Sequence, residues 1–246
     1  MKVWVITILL LAVTWSHAES MHEYLSTTRQ LTRAGEYAEA LERHIWFHEN
    51  VLDHQPSMYG VRLSFALSNW NALADKYPPA MEALLELRDN TEAAVRESGD
   101  FEMFHDLYAL NRQLDNVQNT IEVFEYLDQE HPARARRVWR IARDTVIDTE
   151  RYDLAQKYIG DPVRAFARVK SLYDQNVSMY DDPRFGGDHF RAHTEDTFVD
   201  GSLRLIRLAL AMDDRDSALA IRDLALDVID DRRLRDAVPP SPEHDE

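Results

Sequence analysis

The sequence predicts an all-α protein, an α-solenoid of about five helix-turn-helix hairpins. Three observations predict it. Apolar residues recur at spacings of three and four, as in LYALNRQLDNVQNTIEVFEYL at 107–127, which buries one stripe of a helix. Glycine and proline are scarce in the body of the chain, and strand-like alternation is hard to find. The stretch AGEYAEAL at 34–41 is answered down the chain: Tyr37 and Ala40 become Tyr77 and Ala80, then Val117 and Thr120, then Tyr152 and Ala155. A looser echo falls at Ala218 and Ala225. Repetition at 20 to 50 residues marks supersecondary units that cover one another's apolar sides.

The elements follow in order. Residues 1–18 read as a Sec-type signal peptide: Lys2, an uncharged apolar run from Val3 to Trp15, then small residues at Ser16 and Ala18, with cleavage expected after Ala18. That run falls short of the about 20 residues a membrane-spanning helix needs. No later stretch is long and apolar enough to span, so the expected location is periplasmic or secreted. Residues 19–231 form the helical repeat domain, broken at HQPS, YPP, ESGD, EHPA, IGDP and DDPRFGGD. A loop at about 177–197 precedes the last hairpin, and 232–246 reads as a disordered acidic tail rich in proline. In the hairpins the glycine of the opening motif ends a helix or permits the turn, the tyrosine packs under the turn, and the alanine lets the second helix approach the first.

At these residues the chain resembles the tetratricopeptide-repeat (TPR) family. The third unit carries the resemblance best: Phe104, Leu107 and Tyr108 on a first helix, Asp115 and Val117 at the turn, Thr120, Phe124 and Leu127 on a second helix, then Pro132. Trp139, Tyr152 and Ala155 repeat it in the fourth. The likeness covers residues 20–160 well and 198–231 poorly; units one and two are stretched to 40 residues, and Tyr108 stands where the family has a small residue. It implies a right-handed solenoid of TPR-like hairpins whose first helices line a concave surface.

Charge bounds the partners. Lys and Arg number 28 against 44 Asp and Glu, a net charge of −16, and removing Lys2 with the leader makes it −17. Such a field repels phosphate backbones and argues against nucleic acid. The absence of cysteine excludes disulfides and thiolate chemistry. Acids gather on second helices, such as Glu36, Glu39, Glu42 and Glu49, whereas first helices carry arginine. The register implied by the resemblance turns Arg29, Arg33, Arg62, Asn69, His105, Arg112, Arg137 and Arg140 to the groove, where guanidinium groups suit a carboxylate-bearing protein or peptide. ARARRVWRIAR at 133–143 is the densest basic cluster. The alternative for each arginine is an ordinary surface pair with a neighbouring acid, worth about 0–1 kcal/mol.

Other chemistry has less support. His44 and His48 stand four apart but lack the Glu of a zinc-protease motif, and His44 falls on an aromatic packing position. His189 and His193 repeat the spacing beside Asp181, Asp182, Asp188, Glu195, Asp196 and Asp200, which leaves a metal-dependent protein or enzyme as a second reading. A third is a structural subunit of a cell-envelope complex. No nucleophile elbow or phosphate-binding glycine loop occurs, and the expectation is a non-catalytic binding or scaffold module without a cofactor or metal.

Overall fold

A computed structural model describes residues 20–183 and 187–240. The signal peptide expected at 1–18, and parts of the expected loop and tail, lie outside the described residues. Among the described residues the chain is all α, with no strand. It divides into two compact units, one ending at Leu85 and one beginning at Glu86.

In the first unit α1 (Met21–Ala34) begins with a capping box, Glu23 N–H donating to Ser20 Oγ at 3.2 Å and Ser20 N–H to Glu23 Oε2 at 2.9 Å. The same bonds hold the Glu23 carboxyl below the usual range. α2 (Tyr37–His54) packs on α1. A 3-10 turn at Pro56–Met58 leads into α3 (Tyr59–Val61), a π-helical segment at Arg62–Ala66 and α4 (Leu67–Ala74). The π segment and α4 lie against α2, and Leu25, Phe47, Val51, Met58 and Ala66 form a core. α5 (Pro78–Ser98) runs across the division.

The second unit holds α6 (Phe101–Gln113), α7 (Val117–Glu130), α8 (Pro132–Asp148), α9 (Tyr152–Ile159), α10 (Pro162–Val177), α11 (Asp188–Ala211), α12 (Arg215–Leu226) and α13 (Arg232–Arg235). α8 packs against α6, α7 and α9, and α11 packs against α8, α9, α10 and α12. One core gathers Phe104, Phe124, Val138, Ala142 and Leu154; another gathers Phe166, Phe198, Ile206, Ile221 and Leu234.

The repeat is a repeat of backbone conformation. Gly35, Asp115, Glu150 and Asp213 all have φ between 52° and 86°, each two residues before a second helix. After each comes a backbone bond that spans five residues: Glu36 to Leu31 O at 3.0 Å, Asn116 to Asn111 O at 2.8 Å, Arg151 to Val146 O at 3.0 Å and Asp214 to Ala209 O at 2.9 Å. This is the Schellman closure of a helix end, which satisfies carbonyls the helix leaves open. Five residues past the left-handed residue stands a small side chain at a helix crossing, Ala40, Thr120, Ala155 or Ala218, each no more than 2% exposed. The second turn differs. Asp75 is right-handed at φ −60, yet Ala80 is again fully buried, and Trp70 Nε1 donates to its carbonyl at 3.1 Å. Tyr37 and Tyr77 meet ring to ring, with centroids 5.9 Å apart.

Two expectations are corrected. The loop of 177–197 is shorter, because α11 already begins at Asp188; its first turns are polar on their exposed sides but bury Thr194 and then Phe198 and Val199 against the unit. α10 is an added helix between the fourth and last hairpins, packed on both α11 and α12. Of the expected tail, residues 232–240 belong to the fold: Leu234 and Val238, four apart, are buried in the second core, and α13 contacts α11 and α12. Among the described residues no helix is long and apolar enough to cross a membrane.

The turns make a prediction in urea unfolding. Glu150→Gly removes the left-handed penalty and stabilises by about 0.5–1 kcal/mol, while Gly35→Ala, which meets nothing within 4 Å, destabilises by about 1 kcal/mol through conformation alone. Ala155→Leu overfills a crossing and costs about 1–3 kcal/mol.

Candidate functional site

The basic run on α8 folds into one wall of a cleft. Pro132 opens the helix, and arginines at 136, 140 and 143 recur at helical spacing along it. α10 supplies the facing wall with Arg164 and Arg168, four apart. Its start is fixed by Asp161, whose Oδ1 accepts from Val163 N at 2.9 Å and Arg164 N at 3.2 Å; the Arg164 hydrogen bonds hold that carboxyl below its ordinary range. The resulting space, about 610 Å³, is lined by Trp139, Arg140, Arg143, Tyr158, Arg164 and Arg168, with Asp161 at its edge.

The aromatic wall is held from behind. Trp139 stacks on Tyr158 at 5.5 Å, and Phe124 meets Tyr158 edge-on at 5.3 Å. Tyr158 donates its hydroxyl to Asp128 Oδ1 at 2.5 Å, and burial, followed by that carboxylate, pushes the phenol well above its usual pKa. Lys157 pairs with the same Asp128 at 2.6 Å, and Arg151 pairs with Glu125, so acids of α7 are used to dock α9.

Beside this cleft a cavity of about 460 Å³ lies among α8, α10 and α11, sharing Arg143 and Arg168 as walls. Arg143 pairs with its neighbour Asp144 at 2.8 Å in a half-buried contact, and Arg164 with Asp161 at 3.1 Å in an exposed and weak one. Arg204 of α11 is held by Asp148 at 2.8 and 2.9 Å, bonds that raise its pKa. Arg140 sits over the Phe101 ring at 4.0 Å. Arg140 and Arg168 make no ion pair among the described residues.

The eight residues expected to line a groove fall on both units. Arg29 and Arg33 are exposed on α1, and Asn69 is half-buried on α4. Arg62 is different: only 7% exposed, it donates from NH1 toward His48 Nε2 at 3.0 Å in the π segment. It is therefore a packing residue between α2 and that segment. In the second unit His105 stacks on Tyr108 at 6.5 Å, Arg112 lies over the same ring at 5.7 Å, and Arg137 and Arg140 are exposed on α8. The structure thus brings Arg140 to the cleft, whereas Arg143, Arg164 and Arg168 were not among the expected residues. Their signal was the four-residue spacing of Arg164 and Arg168 on a helix that follows the basic run. His189 and His193 are exposed, and among the described residues no group of three or more His, Asp or Glu converges as a metal would require.

His44 and His48 are buried against Trp70, the first stacked at 5.9 Å. Burial lowers His44 to about 4, and burial together with the Arg62 charge lowers His48 to about 3. Both are neutral in the folded chain and ordinary in the unfolded one, so the unfolded chain binds more protons below pH 6.5. Stability from this pair is complete above about pH 6.5 and falls as pH drops toward 4. The urea midpoint is expected to decline between pH 6.5 and 4.5, above most carboxylate titration, and the decline is expected to be shallower in His48→Gln.

No family model, curated protein or solved structure matches this chain.

Proposed function

We propose that the chain is an exported, non-catalytic TPR-like module that binds an acidic protein or peptide segment through the arginines of α8 and α10. The observation that carries this reading is the convergence of Arg140, Arg143, Arg164 and Arg168 on one cleft with an aromatic wall, in a chain whose net charge is −16. Concentrating cations against so acidic a background costs repulsion among the arginines, and a carboxylate-bearing ligand relieves it. Guanidinium forks bind carboxylates in bidentate geometry, and Trp139 and Tyr158 give an apolar surface for the ligand's chain. The recurrent turn and its buried small residue support the reading of TPR-like hairpins. A leader removed after Ala18 would deliver the array outside the cytoplasm.

The test is fluorescence anisotropy with a labelled Glu-rich peptide and a Lys-rich control. Saturable, salt-sensitive binding of the acidic peptide alone is expected, with Arg140→Glu/Arg164→Glu weakening it at least tenfold, about 1.4 kcal/mol, at unchanged helicity. Equal affinity in that variant, or equal binding of the two peptides, overturns the proposal.

A further inference from the structure

We infer that the cavity enclosed by α8, α10 and α11 is a binding site for a small organic carboxylate with an apolar body, the carboxylate meeting Arg168 and the body lying on Val169, Leu172 and Phe198. The cavity's volume, about 460 Å³, lies in the range of small-molecule sites. Two independent features mark it as polar at chosen points. Arg168 lines it and makes no ion pair among the described residues. Thr194 lines it too, is 1% exposed, and its hydroxyl has no hydrogen-bond partner. A buried hydroxyl without a partner is the exception in folded chains.

The other charges narrow the choice of ligand. Arg143 shares its charge with Asp144 and Arg204 is held by two bonds to Asp148, whereas Arg168 has no carboxylate partner among the described residues, which makes it the guanidinium most open to a new one. Asp144 also lines the cavity and opposes a highly charged anion, which favours a single carboxylate over a polyanion. Val169, Leu172, Tyr173 and Phe198 supply the apolar surface, with Phe198 buried at its back and Leu172 half exposed at its mouth. α10 creates the enclosure by lying close on α11: a Cβ added at Gly201 would stand 3.0 Å from Val169 Cγ1. Arg140 and Arg164 do not line this cavity, so the site is separable from the peptide-binding surface.

Isothermal titration calorimetry of the full chain uses octanoate as the probe, 1-octanol as the uncharged counterpart and acetate as the chainless one. Octanoate is expected to bind saturably at one site per chain, well ahead of both controls. Arg168→Gln, at an exposed position, is expected to weaken octanoate about tenfold, and Thr194→Val about threefold, while neither changes the binding of octanol. Arg140→Glu/Arg164→Glu is expected to keep the wild-type affinity for octanoate even if peptide binding is lost. No saturable octanoate binding, equal affinities for octanoate and octanol, or an Arg168→Gln protein that binds octanoate like the wild type overturns the assignment.

Discussion

Close approach of helices at small side chains is the constraint on which the rest of this structure depends. Ala40, Ala80, Thr120, Ala155 and Ala218 are all buried at the same place in the second helix of a hairpin, three residues past the position occupied by Tyr37, Tyr77, Val117, Tyr152 or Arg215. A methyl group at a crossing allows the ridges of one helix to reach the grooves of the next, and the aromatic and leucine side chains around it then fill the remaining space. Where threonine replaces alanine, the added hydroxyl is satisfied locally: Asn111 Nδ2 donates to Thr120 Oγ1 at 3.0 Å and to Asn119 Oδ1 at 2.8 Å, and Asn119 donates to Glu92 at 2.7 Å. The crossing tolerates the Thr120 hydroxyl because Asn111 donates to it, although Asn111 Oδ1 is itself buried without a partner.

Much of this was legible in the sequence, because burial stripes and small residues at fixed spacing are properties of residue type. The left-handed turn position was not. It is glycine once, at Gly35, and Asp or Glu at Asp115, Glu150 and Asp213, so a search for glycine finds a quarter of it. What recurs is a dihedral angle, held in place by the closing bond behind it, and three of its occupants are residues that sequence reading assigns to solvent. In the last hairpin the echo read at Ala218 holds, since Ala218 is fully buried, while Arg215 stands at the tyrosine position. The start of the tail was missed because the proline-rich, acidic run VPPSPEHDE at 238–246 governed the reading, while its anchors are two apolar side chains, Leu234 and Val238, and Arg233, which reaches Asp196 and Asp200 of α11.

The candidate site was half legible for a related reason. The arginine run on α8 is visible as composition, but a cleft needs a second wall, and that wall is α10, a helix outside the repeat. Among residues read as groove-lining, Arg62 shows how position on a first helix fails to fix orientation: at the start of the π segment it is buried beside His48. Arg140 instead keeps its charge at the surface over Phe101, and with Arg168 it remains available for an anion. Burial therefore divides the basic residues into those that hold helices together, such as Arg62, and those whose charge stays at the surface, such as Arg140 and Arg168.

The docking of α10 on α11 connects the packing rule to the binding surface, and a cross-link measures it most directly. A Cβ at Gly201 would lie 3.9 Å from the Cβ of Val169, within the span of a disulfide, and the chain has no cysteine of its own to interfere. Val169→Cys/Gly201→Cys, oxidised mildly and followed by mass spectrometry, is expected to close that bond nearly completely in the native protein and to lose the preference in urea. Failure to form it under native conditions, or formation only after unfolding, would contradict the close approach and with it the cavity that α10 and α11 line together.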